Sequence, residues 1–235
     1  MPALVPRVPF AEELLLLDEL SHRISNEFAS AISMLFRAAR SADDEVKNNL
    51  GDVAQLLHNY AEVHRALRPP DQETLINAEG YLSELCRAIS RSKLDPMNIR
   101  LELAATPLLM SATRCWRLGM IVNELVTNAV QHAFARRHGA IRVVLSRSGG
   151  FITCHIADNG SAPGFVQPGR GLRIVEDLSR SLDGRFERKF GPRGSVSTVI
   201  FPCLEQSSPS HRPTPSDPDH HADEPQWHCA SKTTR

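Results

Sequence analysis

The sequence contains no long hydrophobic run and no excess of charge of either sign. Its longest purely aliphatic stretch is Leu14–Leu17, far short of the roughly 20 residues that a membrane-spanning helix needs. Lysine and arginine together number 27, as do aspartate and glutamate, so nothing indicates nucleic acid or an anionic membrane as the main partner. No basic segment followed by an apolar block stands at the amino terminus, and we therefore expect no signal peptide.

Paired cysteines are also lacking. The five cysteines are scattered and none has CxxC spacing: Cys86, Cys115, Cys154, Cys203 and Cys229. This usage favours reduced thiols. Hydrophobic residues make up 41% of the 235 residues, which is enough for a packed core. We therefore predict a cytoplasmic protein of one or two domains, with no membrane span.

Residues 10–68 are predicted to form a helical hairpin, because apolar and small residues recur at alternating steps of three and four. In the first helix this apolar seam comprises Leu14, Leu17, Ser21, Ile24, Phe28, Ala31, Leu35 and Ala38. In the second it comprises Val46, Leu50, Val53, Leu57, Tyr60, His64 and Leu67. Residues 41–44 supply the turn, and Pro69-Pro70 ends the second helix. One hairpin cannot cover both seams, so we expect a homodimer with a four-helix bundle.

His22 lies one residue past a seam position, about 100° around the helix. Its imidazole is therefore predicted to face solvent, with Asp18 one turn before it and Asn26 one turn after it. Such a ring suits modification by a group that arrives from outside, although most surface histidines have no special role. His64 falls on the seam itself, and we interpret it as a packed or interface histidine.

Residues 72–202 have the pattern of a layered α+β domain with its helices on one face of an antiparallel sheet. The predicted helices span 74–92, 112–134 and 172–182, and the predicted strands span 99–103, 141–146, 151–158, 185–190 and 195–201. Residues 205–235 are rich in Ser, Pro, His and Asp, and we predict a disordered tail. Its four histidines could bind metal, but their irregular spacing favours solvated disorder.

A polar stripe follows one face of the predicted helix 112–134. Glu124, Asn128 and His132 recur every four residues, whereas Leu125 and its apolar neighbours turn toward the sheet. A carboxylate, an amide and an imidazole suit the lining of a polar pocket better than a core. The amide oxygen of Asn128 is a ligand that Mg²⁺ accepts together with water and nucleotide phosphates.

Two further segments carry candidate chemistry. Asp158 ends a strand just before Gly160, where it could accept a hydrogen bond from an exocyclic amine while the glycine lets a flat ring approach; the alternative is an ordinary turn. Gly169 and Gly171 precede Leu172 at a predicted helix start, where free backbone N–H groups can cradle phosphate. A glycine and Ser195 then open the last strand.

In this order and spacing, the three segments resemble the N, G1 and G2 boxes of GHKL-type ATPase domains. Residues 20–26, Leu-Ser-His-Arg-Ile-Ser-Asn, resemble the phosphoacceptor box of bacterial sensor histidine kinases of the HWE-like and second HisKA-type subgroup. The resemblance covers about residues 14–202. It implies a hairpin for dimerisation and phosphoacceptance, followed by a GHKL-type α/β sandwich that binds ATP.

The resemblance also implies roles for residues. Asn128 would coordinate Mg²⁺, Glu124 would lie beside the reacting phosphate, and Asp158 would recognise adenine. Residues implied to shape the rest of the ATP site are Gln131, His132, Gly160, Gly169, Gly171, Leu172 and Ser195. His22 would take the γ-phosphate and pass it to an aspartate of a response-regulator receiver domain, with Asp18, Arg23 and Asn26 as supporting residues.

Several positions depart from the family pattern. Gln131 replaces the usual lysine of the N box, Ala162 replaces the second glycine of the G1 box, and the lid between Gly160 and Gly169 is short. Arg23 stands where an acidic residue usually follows the acceptor, so Asp18 is the candidate for holding the second imidazole nitrogen. About nine residues precede the first helix, and we therefore expect a separate sensor protein as a further partner.

Three functions remain open at this stage. The first is a cytoplasmic ATP- and Mg²⁺-dependent protein histidine kinase. The second is a histidine phosphotransferase, a phosphorelay hub whose ATPase domain has weakened. The third is an anti-sigma-type serine kinase on the same ATPase fold, which the long hairpin disfavours.

Overall fold

Two long helices form the amino-terminal part of the molecule. The computed structural model describes residues 10–134, 138–161, 170–191 and 194–203, and for residues 10–15 and 17 the backbone alone. Helix α1 spans Phe10–Ala39 and α2 spans Asp44–Ala66. The Asp43 side chain caps α2 by accepting a hydrogen bond of 2.8 Å from the Val46 amide, which satisfies one of the unpaired N–H groups at the helix start. The predicted hairpin is confirmed.

The two helices bury their apolar residues only in part. On α1 the described seam residues from Ser21 to Leu35 are half-buried. On α2 three of the predicted seam residues, Val46, Val53 and Tyr60, are 44%, 46% and 36% exposed in the single chain, so this seam and the dimer that would cover it stay predictions. Helix α2 packs against both α1 and the helix that follows it in the chain. Its buried positions, Ala54 and Val63, therefore do not follow a single stripe.

Residues 75–202 supply the rest of the fold, which we call the sheet domain. Its elements in chain order are β1 Leu75–Asn77, α3 Ala78–Ile89, a π-helical turn Ser90–Leu94, a 3₁₀ turn Asp95–Met97, β2 Ile99–Ala105, β3 Leu109–Ser111, α4 Ala112–His132, β4 Gly139–Ser148, β5 Phe151–Asp158, α5 Arg170–Ser181, β6 Arg185–Gly191 and β7 Gly194–Pro202. The predicted helix 74–92 was wrong at both ends. Its first residues form β1, which pairs antiparallel with β3, and its last residues enter the π turn.

The main sheet has five strands in the order β2-β4-β5-β7-β6. Strands β4, β5, β7 and β6 pair antiparallel, whereas β2 and β4 run parallel. The expectation of antiparallel pairing throughout was therefore wrong for β2. Helix α4 lies between these two strands in the chain, and a crossover of that length lets consecutive strands of a sheet run in the same direction.

Helices α3, α4 and α5 pack against the sheet and close the core. Along β4, Ile141, Val143 and Leu145 are buried while the intervening Arg142 is exposed, as expected for a strand with one covered face. The α+β layered fold is confirmed. The hairpin and the sheet domain fall within one compact unit, and the domain boundary near Pro70 stays a prediction. None of the described helices is long and apolar enough to cross a membrane. The predicted tail 205–235 lies outside the described residues.

Candidate functional site

The polar stripe lies on α4, opposite the residues that this helix buries. Leu125, Val126 and Ala129 pack into the core, so Glu124 and Asn128 are left half-buried and His132 is exposed at the end of the helix. The Asn128 amide donates a hydrogen bond of 3.3 Å from Nδ2 to Glu124 Oε1. This bond orients the Asn128 amide so that its carbonyl oxygen points away from Glu124, where it can accept a metal ion or a donor group.

The amino end of α5 lies against Glu124. The helix begins at Arg170, so Gly171 is in its first turn and Leu172 follows half-buried. A Cβ atom on residue 171 would overlap the Glu124 carboxylate, so the absence of a side chain there lets this carboxylate lie directly against the start of α5. The first N–H groups of a helix have no partner within it and attract anions. The start of α5 and the Glu124–Asn128 pair are thus brought together.

Asp158 ends β5 with its side chain buried, at 9% exposure for the residue. Its Oδ2 accepts a 2.5 Å hydrogen bond from the Ser195 hydroxyl, and its Oδ1 accepts a 3.0 Å bond from the Gly160 amide. A carboxylate oxygen can accept more than one hydrogen bond. Asp158 is therefore held in place by neutral donors and retains capacity for another, such as an amine.

Two glycines allow backbone segments to meet at this end of the sheet. A Cβ atom on Gly160 would overlap Ala133, just past α4, and Ser161 N donates a 2.9 Å bond to the Ala133 carbonyl. Gly194 has a φ of +119° and lies against the Asp158 backbone. The polar stripe therefore begins at Glu124, beside the start of α5, and ends at His132, near the end of β5. The eight-residue separation of these two positions corresponds to about 12 Å along α4.

The structure therefore brings most of the predicted nucleotide residues to one end of the sheet domain. Gln131 is exposed on α4 beside the stripe. Gly169, Ala162 and the predicted lid lie outside the described residues. The roles of these residues in ATP binding stay predictions.

Lys93 is a site residue that the sequence analysis missed. It lies in the π turn, and its Nζ donates a 2.9 Å bond to Thr127 Oγ1 and a 3.5 Å bond to Asn123 Oδ1 of α4. Burial lowers the Lys93 pKa, and the nearby Glu124 carboxylate opposes that shift. A half-buried cation thus adjoins the polar stripe. Its placement in a single π-helical turn, which is often found at functional sites, gives no periodic signal in the sequence.

Arg188 on β6 is a second residue that was missed. Burial lowers the pKa of its guanidinium, and the charge of Asp158 opposes this shift. Its Nε is buried and has no hydrogen-bond partner among the described residues. A second cation therefore lies near the predicted adenine-binding carboxylate.

His22 is exposed on α1, as predicted, with 51% of its side chain accessible. The guanidinium of Arg68, which follows the end of α2, bridges two α1 side chains. Its Nε donates a 2.6 Å bond to Asp18 Oδ1, and its second terminal nitrogen donates to His22 Nε2. Asp18 Oδ2 is 3.9 Å from His22 Nε2, which is too far for a hydrogen bond. Asp18 therefore reaches the imidazole through Arg68.

The other two predicted supporting residues do not contact His22. Arg23 and Asn26 are exposed on α1, and no hydrogen bond or ion pair joins either of them to His22 within the described part of the chain. Their supporting roles stay predictions.

The hairpin and the sheet domain face one another across a cavity of about 510 Å³. Its walls include Ser21 and Phe28 of α1, Tyr60 and His64 of α2, and Lys93 and Glu124 on the opposite side. His64 is half-buried, with its ring centroid 6.0 Å from that of Phe28, in line with a packed histidine. Helix α1 and the polar stripe thus border the same space.

Two aromatic side chains of the sheet domain fix the end of α2. Trp116 Nε1 on α4 donates a 2.9 Å bond to the Leu67 carbonyl, and the Tyr81 hydroxyl on α3 donates a 3.0 Å bond to the Ala66 carbonyl. These carbonyls lack partners within the helix. Burial raises the pKa of Tyr81, so its hydroxyl stays protonated as a donor. The segment that carries Arg68 is therefore anchored to the sheet domain.

Two family models match the chain: a "Histidine kinase" model over residues 19–93 and a "Histidine kinase-like ATPase domain" model over residues 94–200. Together they account for most of the chain, which belongs to the histidine kinases with a phosphoacceptor region of the second HisKA type.

Curated relatives carry the same two regions. The chain is 25% identical over 206 residues to blue-light-activated histidine kinase 2 of Erythrobacter litoralis, covering 82% of this chain and 58% of that protein. It is 25% identical over 191 residues to the sensor histidine kinase PdtaS of Mycolicibacterium smegmatis, covering 77% of this chain and 38% of that protein. The chain thus spans between about two fifths and three fifths of these relatives.

The fold is also that of a solved structure. The histidine kinase domain of the Erythrobacter litoralis blue-light-activated histidine kinase EL346 superposes with a TM-score of 0.55 at 19% identity. The match covers 75% of this chain and 95% of that structure. At this identity the likeness concerns the fold alone.

Proposed function

We propose that the chain is an ATP-dependent protein histidine kinase that phosphorylates His22 and passes the phosphoryl group to an aspartate of a response-regulator receiver domain. The observation that carries this proposal is the Glu124–Asn128 pair packed against the amino end of α5. It sets an oxygen-donor pair beside an anion site, as phosphoryl transfer from a nucleotide requires. The helical hairpin and its family match argue against the serine kinase alternative.

The nucleotide would lie along the α4 stripe. Its adenine amine would donate to Asp158, which Ser195 and Gly160 hold in position. Its phosphates would meet the free N–H groups at the start of α5. This places the γ-phosphate at the Glu124 end of the stripe, on the side of the cavity that α1 also borders.

The residues at that end fit Mg²⁺. The Asn128 carbonyl oxygen is a hard oxygen donor, and Mg²⁺ commonly takes only one or two protein ligands beside phosphates and water. No group of three or more His, Cys, Asp or Glu that could hold a metal alone occurs among the described residues, so the phosphates would complete the coordination. When bound, the ion offsets the charge that develops on the phosphates. Glu124 orients the Asn128 amide toward it.

A labelling experiment tests the proposal. With Mg²⁺ and γ-labelled ATP, the protein should acquire label that is acid-labile and alkali-stable, as expected for phosphohistidine. The label should vanish in His22→Ala and persist in His58→Ala, a matched control that removes another exposed histidine of the hairpin. Label that survives in His22→Ala would contradict the proposed acceptor.

A second variant separates the kinase from the phosphorelay hub. Asn128→Ala should abolish labelling from ATP, because it removes the proposed metal ligand, yet leave His22 able to take phosphate back from a phosphorylated receiver domain. If the unaltered protein never labels from ATP but exchanges phosphate with a receiver, the hub is correct and the kinase is wrong. The homodimer, the separate sensor protein and the cytoplasmic location stay predictions.

A further inference from the structure

We propose that Arg68 is an acceptor-side catalytic residue: it selects the His22 tautomer whose Nε2 attacks, and it then binds the phosphoryl group that Nε2 receives. This inference rests on the proposed function of His22. It starts from the bridge in which one guanidinium contacts both Asp18 Oδ1 and His22 Nε2.

The bridge fixes the protonation of the ring. A guanidinium has donors only and keeps its charge at all ordinary pH values, so Nε2 must offer a lone pair to it. In a neutral imidazole one nitrogen carries the proton and the other accepts. The proton of neutral His22 is therefore on Nδ1, and Nε2 is the nucleophilic nitrogen.

The guanidinium is held at one edge and can adjust at the other. Its Nε is tied to Asp18 by the 2.6 Å bond, and Asp71 lies 3.8 Å from the terminal nitrogen that contacts His22. The hydrogen bond that Arg68 donates to Asp18 raises the Arg68 pKa. Asp18 is thus a positioning residue that acts through Arg68. Since the Arg68 side chain is one-third exposed, its free edge has room to move as a group arrives at Nε2.

The transfer step balances without another reactant. The Nε2 lone pair forms a bond to the γ-phosphorus, the bond from that phosphorus to the bridging oxygen breaks, and ADP leaves with the electron pair. The Nδ1 proton is then lost to water, which leaves a neutral imidazole ring that carries the anionic phosphoryl group on Nε2. During this step the Arg68 terminal nitrogen exchanges a neutral acceptor for anionic phosphoryl oxygens.

Because of this exchange, Arg68 stabilises the transition state more than it stabilises the resting imidazole. The resting bond joins the Arg68 cation to a neutral acceptor, whereas the arriving phosphoryl oxygens are anionic, so Coulomb attraction makes Arg68 bind the phosphoryl group more strongly than the resting imidazole. An interaction that strengthens toward the transition state raises the rate of the chemical step. Arg68 contributes no hydrogen bond to the described nucleotide residues, so ATP binding should not depend on it.

Imidazole ¹⁵N spectra of the full chain test the tautomer without any kinase activity. At about pH 8, where an unperturbed imidazole is neutral, His22 should carry its proton on Nδ1 in the unaltered protein. The signal is assigned by its loss in His22→Gln. In Arg68→Gln the proton should shift toward Nε2. Arg65→Gln is the matched control, because Arg65 pairs with Glu62 on the same helix and does not contact His22.

The kinetics of His22 labelling test whether Arg68 accelerates phosphoryl transfer. Arg68→Gln should lower the rate constant of His22 labelling by about tenfold to a hundredfold, the effect of losing one charge-assisted hydrogen bond, with the KM for ATP unchanged. Arg68→Lys keeps the charge but not the two-point bridge, and should recover part of the rate. Arg65→Gln should behave as the unaltered protein.

The outcomes separate this inference from the proposed function. A proton on Nε2 in the unaltered protein, or equal or faster labelling in Arg68→Gln, would overturn the role of Arg68 while leaving the kinase in place. A protein that never labels from ATP would overturn the kinase and the transfer role together, whereas the tautomer measurement would still report whether Arg68 orients His22.

Discussion

The hairpin and the sheet domain differ in how far they bury their large apolar side chains. In the sheet domain, residues such as Leu82, Leu118 and Phe201 are fully buried. In the hairpin, by contrast, large apolar residues stay more than one-third exposed: Leu16, Leu20, Met34, Phe36, Val46, Val53, Leu56 and Tyr60. The sheet domain has a core of its own, whereas the hairpin presents an apolar surface that a second chain could cover. Dimerisation should therefore depend on the hairpin and nucleotide binding on the sheet domain.

The largest effect is expected from removing a core side chain of the sheet domain. Phe201→Ala should lower the free energy of unfolding by about 3–5 kcal/mol, because it leaves a cavity in a close-packed interior. Phe190→Ala removes the same ring from a residue that is 45% exposed and should cost about 1 kcal/mol or less. Urea unfolding measures both. Equal losses of unfolding free energy in the two variants would mean that the surroundings of Phe201 are packed no more closely than those of the surface residue Phe190.

A charge on the apolar face of the hairpin should weaken the predicted dimer. Because each chain of a symmetric dimer contributes residue 53, Val53→Glu would place two charges in the interface. It should weaken the free energy of dimerisation by about 2 kcal/mol, which raises the dimer Kd roughly thirtyfold. The matched control is Val196→Glu, the same change at an exposed valine of the sheet domain. Sedimentation equilibrium measures the Kd. If the control dissociates the dimer and Val53→Glu does not, the interface belongs to the sheet domain.

ATP affinity should change when a residue of the proposed nucleotide site in the sheet domain is substituted. Asp158→Asn replaces a buried carboxylate acceptor and should weaken ATP binding by about tenfold to a hundredfold, or 1–3 kcal/mol. Asp177→Asn alters a carboxylate on α5 that is exposed and paired with Arg180, and should leave the affinity unchanged. Calorimetry gives the Kd, and light scattering should show the same mass for all three proteins. An unaltered ATP affinity in Asp158→Asn would make Asp158 a turn residue.

The smallest effect concerns the ion pair on the hairpin. The hydrogen bond from Arg68, aided by its charge, holds the pKa of Asp18 below the ordinary 3.8. A carboxyl whose pKa is depressed by folding adds stability above about pH 4 and loses it as the pH falls through the native pKa. In Arg68→Gln the Asp18 pKa should return toward 3.8, as an NMR titration of its carboxyl would show. An unchanged pKa would mean that the bridge does not persist in solution.

Local signals account for the elements that the sequence predicts well. The Asp43 cap and Pro69 limit α2, and strand β5 was predicted at its observed bounds because its apolar alternation is complete. Strands β1 and β3 have three residues each, too few for a period to show. The parallel direction of β2 depends on the path of the chain across the sheet, and no window of sequence contains that information.

The site residues likewise fall into those that a local sequence pattern predicts and those that only the tertiary fold brings together. The Glu124–Asn128 stripe follows helical periodicity, and Asp158 and Gly160 stand at a visible strand end. Arg68 contacts His22 across 46 residues of sequence, and only the packing of α2 on α1 brings them together. An arginine directly before Pro69-Pro70 was the one available signal, and it is a weak one.

The anchoring of α2 by Trp116 has a mechanical consequence. Trp116 holds the Leu67 carbonyl from the same helix that carries Glu124, eight residues further on, or about 12 Å along its axis. A rotation of α2 would therefore act on α4 through this hydrogen bond as well as through the chain that joins the two helices. Rotation of the hairpin would then move Glu124 of the polar stripe and the contact between Arg68 and His22 together.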